Sequence, residues 1–149
     1  MHKKRKNKIK QIILASDHAG FLLKEEIKKF LLNKRKKILD LGTNNTNSVD
    51  YPDYAHLLSK KMNKKNNQRG ILICGSGTGM NMVANKYKNI RSALCYNVKS
   101  AKLSREHNNA NVMALGARLT KKNVALRCVN VFLNTNFKGG RHLKRIKKI

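Results

Sequence analysis

An α/β fold with a parallel sheet covered on both faces is predicted by two features of this sequence. Short apolar runs alternate with helical spacings from end to end, and polar or glycine-bearing turns close the runs. A third observation sets the scale: 149 residues, 40% of them hydrophobic, suit one domain with one real core.

The elements follow in order. Gln11–Ser16 (QIILAS) is long enough for a buried strand and too short for a helix. Phe21–Asn33 sets Leu23, Ile27, Phe30 and Leu31 at helical spacing, with Glu25 and Lys29 one turn apart as a weak supporting pair. Ile38–Leu41 reads as a second strand closed by Gly42, and a polar loop follows that holds the only proline, Pro52. Asp53 is placed to cap a helix over Tyr54–Lys64, and KKNNQ (64–68) reads as a loop. Gly70–Cys74 is a third strand running straight into Gly75–Gly79, with a helix over Met80–Lys86. Ser92–Tyr96 and Val112–Leu115 are the fourth and fifth strands, separated by a short helix over Ser100–Glu106. Thr120 is placed to cap a helix over Lys121–Leu133, where Val124, Cys128, Val131 and Phe132 share a face, and the tail from Lys138 adds a helical turn. Ligands in parallel sheets bind beyond the carboxyl ends of the strands. That rule selects Asp17-His18, Gly42-Thr43, Gly75–Gly79, Asn97 and Gly116–Arg118.

Composition narrows the function classes. No run of 18 apolar residues exists, so no membrane-spanning helix is expected. The start, MHKKRKNKIK, does not read as a secretory signal. Three cysteines at no metal-like spacing point to a reduced, cytoplasmic protein with neither a disulfide framework nor a zinc site. The formal net charge is +27, from 34 basic and 7 acidic residues. Without Met1–Lys10 and Arg141–Ile149 the balance is still 23 basic to 7 acidic, so the excess is spread over the chain rather than gathered in one patch. Most of it is lysine, beside abundant Asn and Ile, a pattern that A/T-rich codons produce without selection for binding. Nucleic acid is at most a weak, non-specific partner on this reading, because tryptophan is absent and no aromatic stacking array is evident.

The strongest local signal is Gly75-Ser76-Gly77-Thr78-Gly79, three alternating glycines between a strand and a helix. Such a turn can converge backbone N–H groups on an anion or a developing oxyanion, or it can be a tight turn and nothing more. It is not a P-loop, since GK[ST] is missing, and Met80 stands where a dinucleotide fingerprint needs its third glycine. Cys74 ends the strand just before the turn, where helix N-terminal dipoles favour a thiolate. Cys95, mid-strand, and Cys128, on an apolar helix face, read as ordinary core. Asp17 can orient a hydroxyl or cap a helix, and His18 can hold an anion or move a proton. His107-Asn108 reads as part of a polar loop, and His56 as a helix-surface residue. Gly139-Gly140 makes a sharp turn ahead of Arg141, and Arg141 and Arg145, one helical turn apart, can grip one phosphate together. Arg5, Arg35 and Arg69 read as solvated surface residues.

ASDHAGFLLKEEI, VDYPDYA, GILICGSGTGMNMVANK, LSREHNNANVMALGAR and GGRH occur in that order between Ile9 and Arg145. Together they resemble type B ribose-5-phosphate isomerase, of the family shared with the galactose-6-phosphate isomerase subunits. The resemblance implies a Rossmann-like three-layer αβα sandwich and interconversion of D-ribose 5-phosphate and D-ribulose 5-phosphate in the non-oxidative pentose phosphate pathway. It implies no metal and no cofactor, and a homodimer or tetramer with active sites between subunits. By motif position Cys74 resembles the general base, the Gly75–Gly79 backbone the anion hole for the enediolate, and Ser76 a hydroxyl that assists proton exchange. His107 resembles the residue that opens the furanose ring, and Asp17 and Tyr51 the sugar contacts. His18, Arg141 and Arg145 resemble a phosphate clamp. Asn108 and Arg118 resemble binding residues offered with His107 by the neighbouring subunit. Another branch of the family carries a glutamate base at the position of Met80, so this chain resembles the cysteine branch, with Ser76 in place of the threonine often found there. The basic segment 1–8 extends ahead of a single domain over 9–149, and the family suggests no role for it. Two alternatives remain: a hexose-6-phosphate (allose or galactose 6-phosphate) isomerase subunit, and a basic nucleic-acid-binding α/β protein.

Overall fold

The computed structural model describes residues 8–62 and 67–149. Nearly all of the basic extension, and residues 64–66 of the expected KKNNQ loop, lie outside the described residues.

Five strands alternate with helices: β1 (Gln11–Ser16), α1 (Phe21–Asn33), β2 (Ile38–Asp40), α2 (Tyr51–Lys61), β3 (Gln68–Cys74), α3 (Thr78–Ala84), β4 (Ser92–Leu94), α4 (Val98–Asn108), β5 (Val112–Gly116), α5 (Lys122–Asn134) and α6 (Arg141–Ile146). The sheet order is β2-β1-β3-β5-β4, and every pairing is parallel. Register sets Ser16 beside Ile73 and Cys74 beside Gly116, so the carboxyl ends of β1, β3 and β5 finish level with one another.

Both faces of the sheet are buried, and the period-two alternation of strand side chains divides them. Ile12, Leu14, Ile71, Ile73, Met113 and Leu115 meet α1, α4 and α5 through Leu23, Ile27, Leu31, Ala101, Cys128 and Phe132. Ile13, Ala15, Leu72, Cys74, Val112 and Ala114 meet α2 and α3 through Ala55, Leu58, Met80 and Ala84. Full burial of each large aliphatic chain contributes about 1.5–3 kcal/mol. Since β1 leads to α1 on one face and β3 to α3 on the other, the β1/β3 boundary is the topological switch point, where a crevice opens.

Several boundaries differ from the sequence expectation. The second helix starts at Tyr51, not Tyr54, because Pro52 sits in the first turn, where its missing N–H costs nothing. Asp53 is therefore inside the helix rather than its cap. The fourth helix is longer than expected, since Asn97 and Ser100 form a reciprocal capping box that starts it at Val98. Thr120 does not cap the fifth helix, whose N-cap is Lys121; the Thr120 side chain is buried instead. Glu25 pairs with Lys24 and Lys28, not Lys29, because Asp40 draws both lysines toward β2. Lys24 is fully buried and donates to Asp40 at 2.7 Å, a contact between helix and sheet that periodicity does not reveal.

Candidate active site

At the switch point, β3 delivers Cys74 to the sheet edge and the chain turns at once through Gly75–Gly79. Gly77 takes φ +78°, a left-handed conformation, and a Cβ there would lie 2.7 Å from Leu94 and 2.8 Å from the Leu115 backbone. The turn that results aims the Gly77 N–H at Cys74 Sγ, 3.1 Å away. Cys74 is buried at 4% exposure, yet it lines a cavity of about 400 Å³ with Asp17, Tyr51, Gly75, Ser76, Gly79, Arg118 and Leu119. Ser76 is exposed at the rim, its Oγ 3.3 Å from the Thr78 amide. Thr78 opens α3.

The cavity's other walls are built locally. Asp17 accepts the Gly20 amide at 3.0 Å, which anchors the turn ahead of α1, but it is not the helix cap: Gly20 is the N-cap and no side chain caps it, and Asp17 lines the cavity. Next to it, His18 Nδ1 accepts the Val49 amide at 3.1 Å. The same nitrogen lies 3.2 Å from the Val49 carbonyl, so Val49 fixes the ring through Nδ1 whichever tautomer it takes. The Tyr51 ring lies against Gly79 so closely that a Cβ there would sit 2.5 Å from it. Arg118 follows β5 and lies over Gly75, its Nη1 3.0 Å from where a Cβ would be. It therefore lines the Cys74 cavity of its own chain, whereas the sequence expectation has the neighbouring subunit offer it. Leu119, 73% exposed, is the one lining residue not singled out from sequence, because one exposed leucine in a turn carries no pattern.

The remaining predicted residues gather elsewhere. His107 and Asn108 form the last turn of α4, not a polar loop. α6 packs on α4, and the His107 ring stacks on His142 with centroids 4.3 Å apart and planes 10° from parallel. The Gly139-Gly140 pair, both at positive φ, turns the chain into α6 as expected, which sets Arg141 and Arg145 beside this stack. Burial, then the positive fields of His107, Arg141, Arg145 and Lys138, hold His142 below the usual imidazole range. Asn108 lies by the start of β4, where its carbonyl accepts Arg91 Nε at 3.1 Å.

The expected site residues therefore fall into two groups on one chain, a Cys74 half and a His107 half. α4 runs back from the carboxyl edge of the sheet to its amino edge, so its last turn is level with Val112 and Gly70, while Cys74 is level with Gly116. Four residues of strand separate these levels, about 13 Å. His18 belongs to the Cys74 half and Arg141 and Arg145 to the His107 half, so the chain does not bring the three expected phosphate ligands together by itself.

The other cysteines behave as core. Burial pushes the Cys95 thiol up to about 12, and burial raises Cys128 too. Arg69 is not the solvated residue expected: it is half-buried beside Arg91 and Arg105. Among the described residues no three His, Cys, Asp or Glu side chains are grouped to hold a metal, and no helix is long and apolar enough to cross a membrane.

A parallel α/β sheet with a thiol, a glycine turn and a carboxylate at its switch point is the framework of an enzyme that handles small polar substrates. The model of the Ribose/Galactose Isomerase family matches residues 12–149, and the chain belongs to that family. It is 38% identical over 141 residues to the ribose-5-phosphate isomerase B of Escherichia coli K12, covering 95% of each chain. It is similar in structure to a ribose 5-phosphate isomerase of Thermotoga maritima, with TM-score 0.89, 47% identity, and 93% and 95% of the two chains covered. It also resembles the ribose-5-phosphate isomerase B of Mycoplasma genitalium solved with bound ribulose-5-phosphate, with TM-score 0.89, 44% identity, and 93% and 92% covered.

Proposed function

We propose that this protein interconverts D-ribose 5-phosphate and D-ribulose 5-phosphate through an enediolate, with Cys74 as the general base. The observation that carries the reading is the Gly77 N–H held 3.1 Å from Cys74 Sγ at the wall of a cavity that Asp17, Tyr51, Ser76 and Arg118 also line. An aldose–ketose shift needs one base beside C1 and C2, donors for the charge that develops on oxygen, and a phosphate handle that turns binding energy into orientation.

The Cys74 thiolate takes the C2 proton of the open-chain aldose, and the electron pair moves through C1 to the carbonyl oxygen. Amides of the Gly75–Gly79 turn stabilise that oxyanion. The Ser76 hydroxyl assists transfer of the O2 proton to O1, and the Cys74 thiol returns its proton to C1. Asp17 and Tyr51 hold sugar hydroxyls, and Arg118 adds a positive charge at the same wall. No step calls on a metal or a cofactor.

The half-sites work as one when two copies meet. The 13 Å-scale separation within a chain supports a site in which the partner subunit's His107 donates the proton that opens the furanose ring. The partner subunit's Asn108, Arg141 and Arg145 then join His18 around the sugar and its phosphate. The working unit is a homo-oligomer, dimer or tetramer, in the cytoplasm, acting in the non-oxidative pentose phosphate pathway. Residues 9–149 form the isomerase domain, and the basic segment 1–8 precedes it in the sequence.

The test is turnover of D-ribose 5-phosphate by purified protein, with allose 6-phosphate and galactose 6-phosphate in parallel, with and without EDTA. The reading expects ribose 5-phosphate to be the fastest substrate, EDTA to change nothing, and Cys74→Ala to remove activity. Faster turnover of a six-carbon phosphate moves the substrate class, and a fully active Cys74→Ala variant removes the thiol from the mechanism.

A further inference from the structure

A second cavity, of about 460 Å³, opens at the amino edge of the sheet, opposite Cys74. Three arginines line it: Arg69 from β3, Arg91 just ahead of β4, and Arg105 from α4. None of the seven acidic residues lines it; Glu25, Glu26, Asp40 and Glu106 are paired with lysines elsewhere. The three cations thus face one space without a counter-charge.

Their hydrogen bonds go to neutral groups. Arg105, 4% exposed, donates to the Thr135 and Ala110 carbonyls and to Asn109 Oδ1. Arg91 donates to the carbonyls of Asn108 and Asn109. Arg69 Nη1 donates to Asn67 Oδ1 and the Gln68 carbonyl, while its Nε is buried with no hydrogen-bond partner. Carbonyl oxygens satisfy donors but do not cancel charge, and a desolvated cluster of like charges without a counterion is costly.

We propose that this cavity is an anion site whose occupant is the phosphate group of a small molecule. A tetrahedral oxyanion with one to two negative charges can accept from the guanidinium N–H groups left over on three different elements, whereas a planar carboxylate is matched to a single free fork. The cavity lies in the size range of small-molecule sites. The cations already disturb one another: burial, then the charges of Arg69 and Arg91, pull the Arg105 pKa down to about 9. A bound phosphate reverses that sign. The site also shares Arg91 with the Asn108–Asn109 turn, next to His107.

The test separates this site from the substrate's own phosphate grip and reads binding, not turnover, so its failure is distinct from failure of the isomerase reading. In the Arg141→Ala/Arg145→Ala full-length protein, inorganic phosphate titrated by calorimetry is expected to fill one site per chain. Adding Arg69→Gln is expected to weaken that binding about tenfold or more, with a smaller loss for Arg69→Lys. In the unsubstituted protein the Arg69 Nε–H resonance is expected to move on phosphate titration, a readout that needs no variant to fold. An Arg69 Nε–H signal unmoved by phosphate, or binding that Arg69→Gln leaves unchanged, overturns the proposal.

Discussion

The Gly77 amide donates to Cys74 Sγ across 3.1 Å, a contact between two residues three apart that exists because the chain doubles back at the end of β3. Strand, turn and helix start share one short stretch of chain, so the thiol and its nearest donor are placed by local geometry. Gly77→Ala therefore attacks both parts. It forces a left-handed φ on a residue with a side chain and drives a Cβ into Leu94 and the Leu115 backbone. The expected result is a stability loss of at least about 1 kcal/mol, with kcat falling more than KM rises. Chemical denaturation and steady-state kinetics measure the two effects separately.

Cys74→Ala and His107→Ala are expected to be separately inactive and to complement each other. If one site takes Cys74 from one subunit and His107 from its partner, a hybrid dimer holds one intact site and one doubly damaged site. Random reassortment of equal amounts through a dissociated state should recover about a quarter of normal activity. Recovery of none, with hybrids shown by mass spectrometry, contradicts the shared site.

Arg141→Ala is expected to raise KM for the sugar phosphate more than it lowers kcat, since a phosphate grip is used in ground and transition states alike. An unchanged KM removes Arg141 from the phosphate site.

Asp40→Asn is expected to destabilise, because it puts a neutral amide where a carboxylate stood 2.7 Å from the fully buried Lys24 and leaves Glu25, 2.9 Å away, as that lysine's remaining carboxylate. The expected cost is about 1–3 kcal/mol in denaturant unfolding, since Glu25 still compensates the lysine. In the unsubstituted protein burial pushes the Asp40 carboxyl up, but hydrogen bonds from Lys24, the Gly42 amide and Lys28, with the field of Lys24, bring it below its ordinary 3.8. A lowered folded value means the unfolded chain binds more protons, so this contribution is present above pH 3.8 and is lost as pH falls through the folded value. The acid limb of the stability curve should flatten in Asp40→Asn.

The His142 shift has the same sign. Its folded value is held below 6.5, so the contribution to docking α6 is present above that pH and lost as pH falls below it. Protection factors of the α6 amides, which correct for the slower intrinsic exchange at lower pH, are expected to fall as pH drops below 6.5, and His142→Phe, which keeps a ring against His107, should suppress that dependence.

The helix α1 matches its expected span residue for residue, since Leu23, Ile27 and Leu31 mark one buried face over three turns. Helix starts were harder to read. Pro52 inside a first turn and the Asn97–Ser100 box each moved a boundary, because caps depend on which backbone donors are left over. The cavity around Cys74 was legible for Asp17, Ser76 and the glycine turn, which lie at strand ends the alternation already locates. Arg118 was legible as a residue but not in its placement over Gly75, and the arginine cluster of 69, 91 and 105 was not legible at all. Its members are 14 to 36 residues apart in sequence and meet only because β3, β4 and α4 share the amino edge of the sheet.

The sequence by itself determined the alternation of strands and helices, the thiol-and-glycine turn and the family, because these are encoded over spans of a few residues where periodicity and local backbone chemistry act. Only the tertiary structure decided the strand order, the burial of Lys24 against Asp40, and the separation of Cys74 from His107 by the height of the sheet. Those depend on which elements pack side by side, a choice made by long-range burial of apolar faces that no local stretch of chain contains.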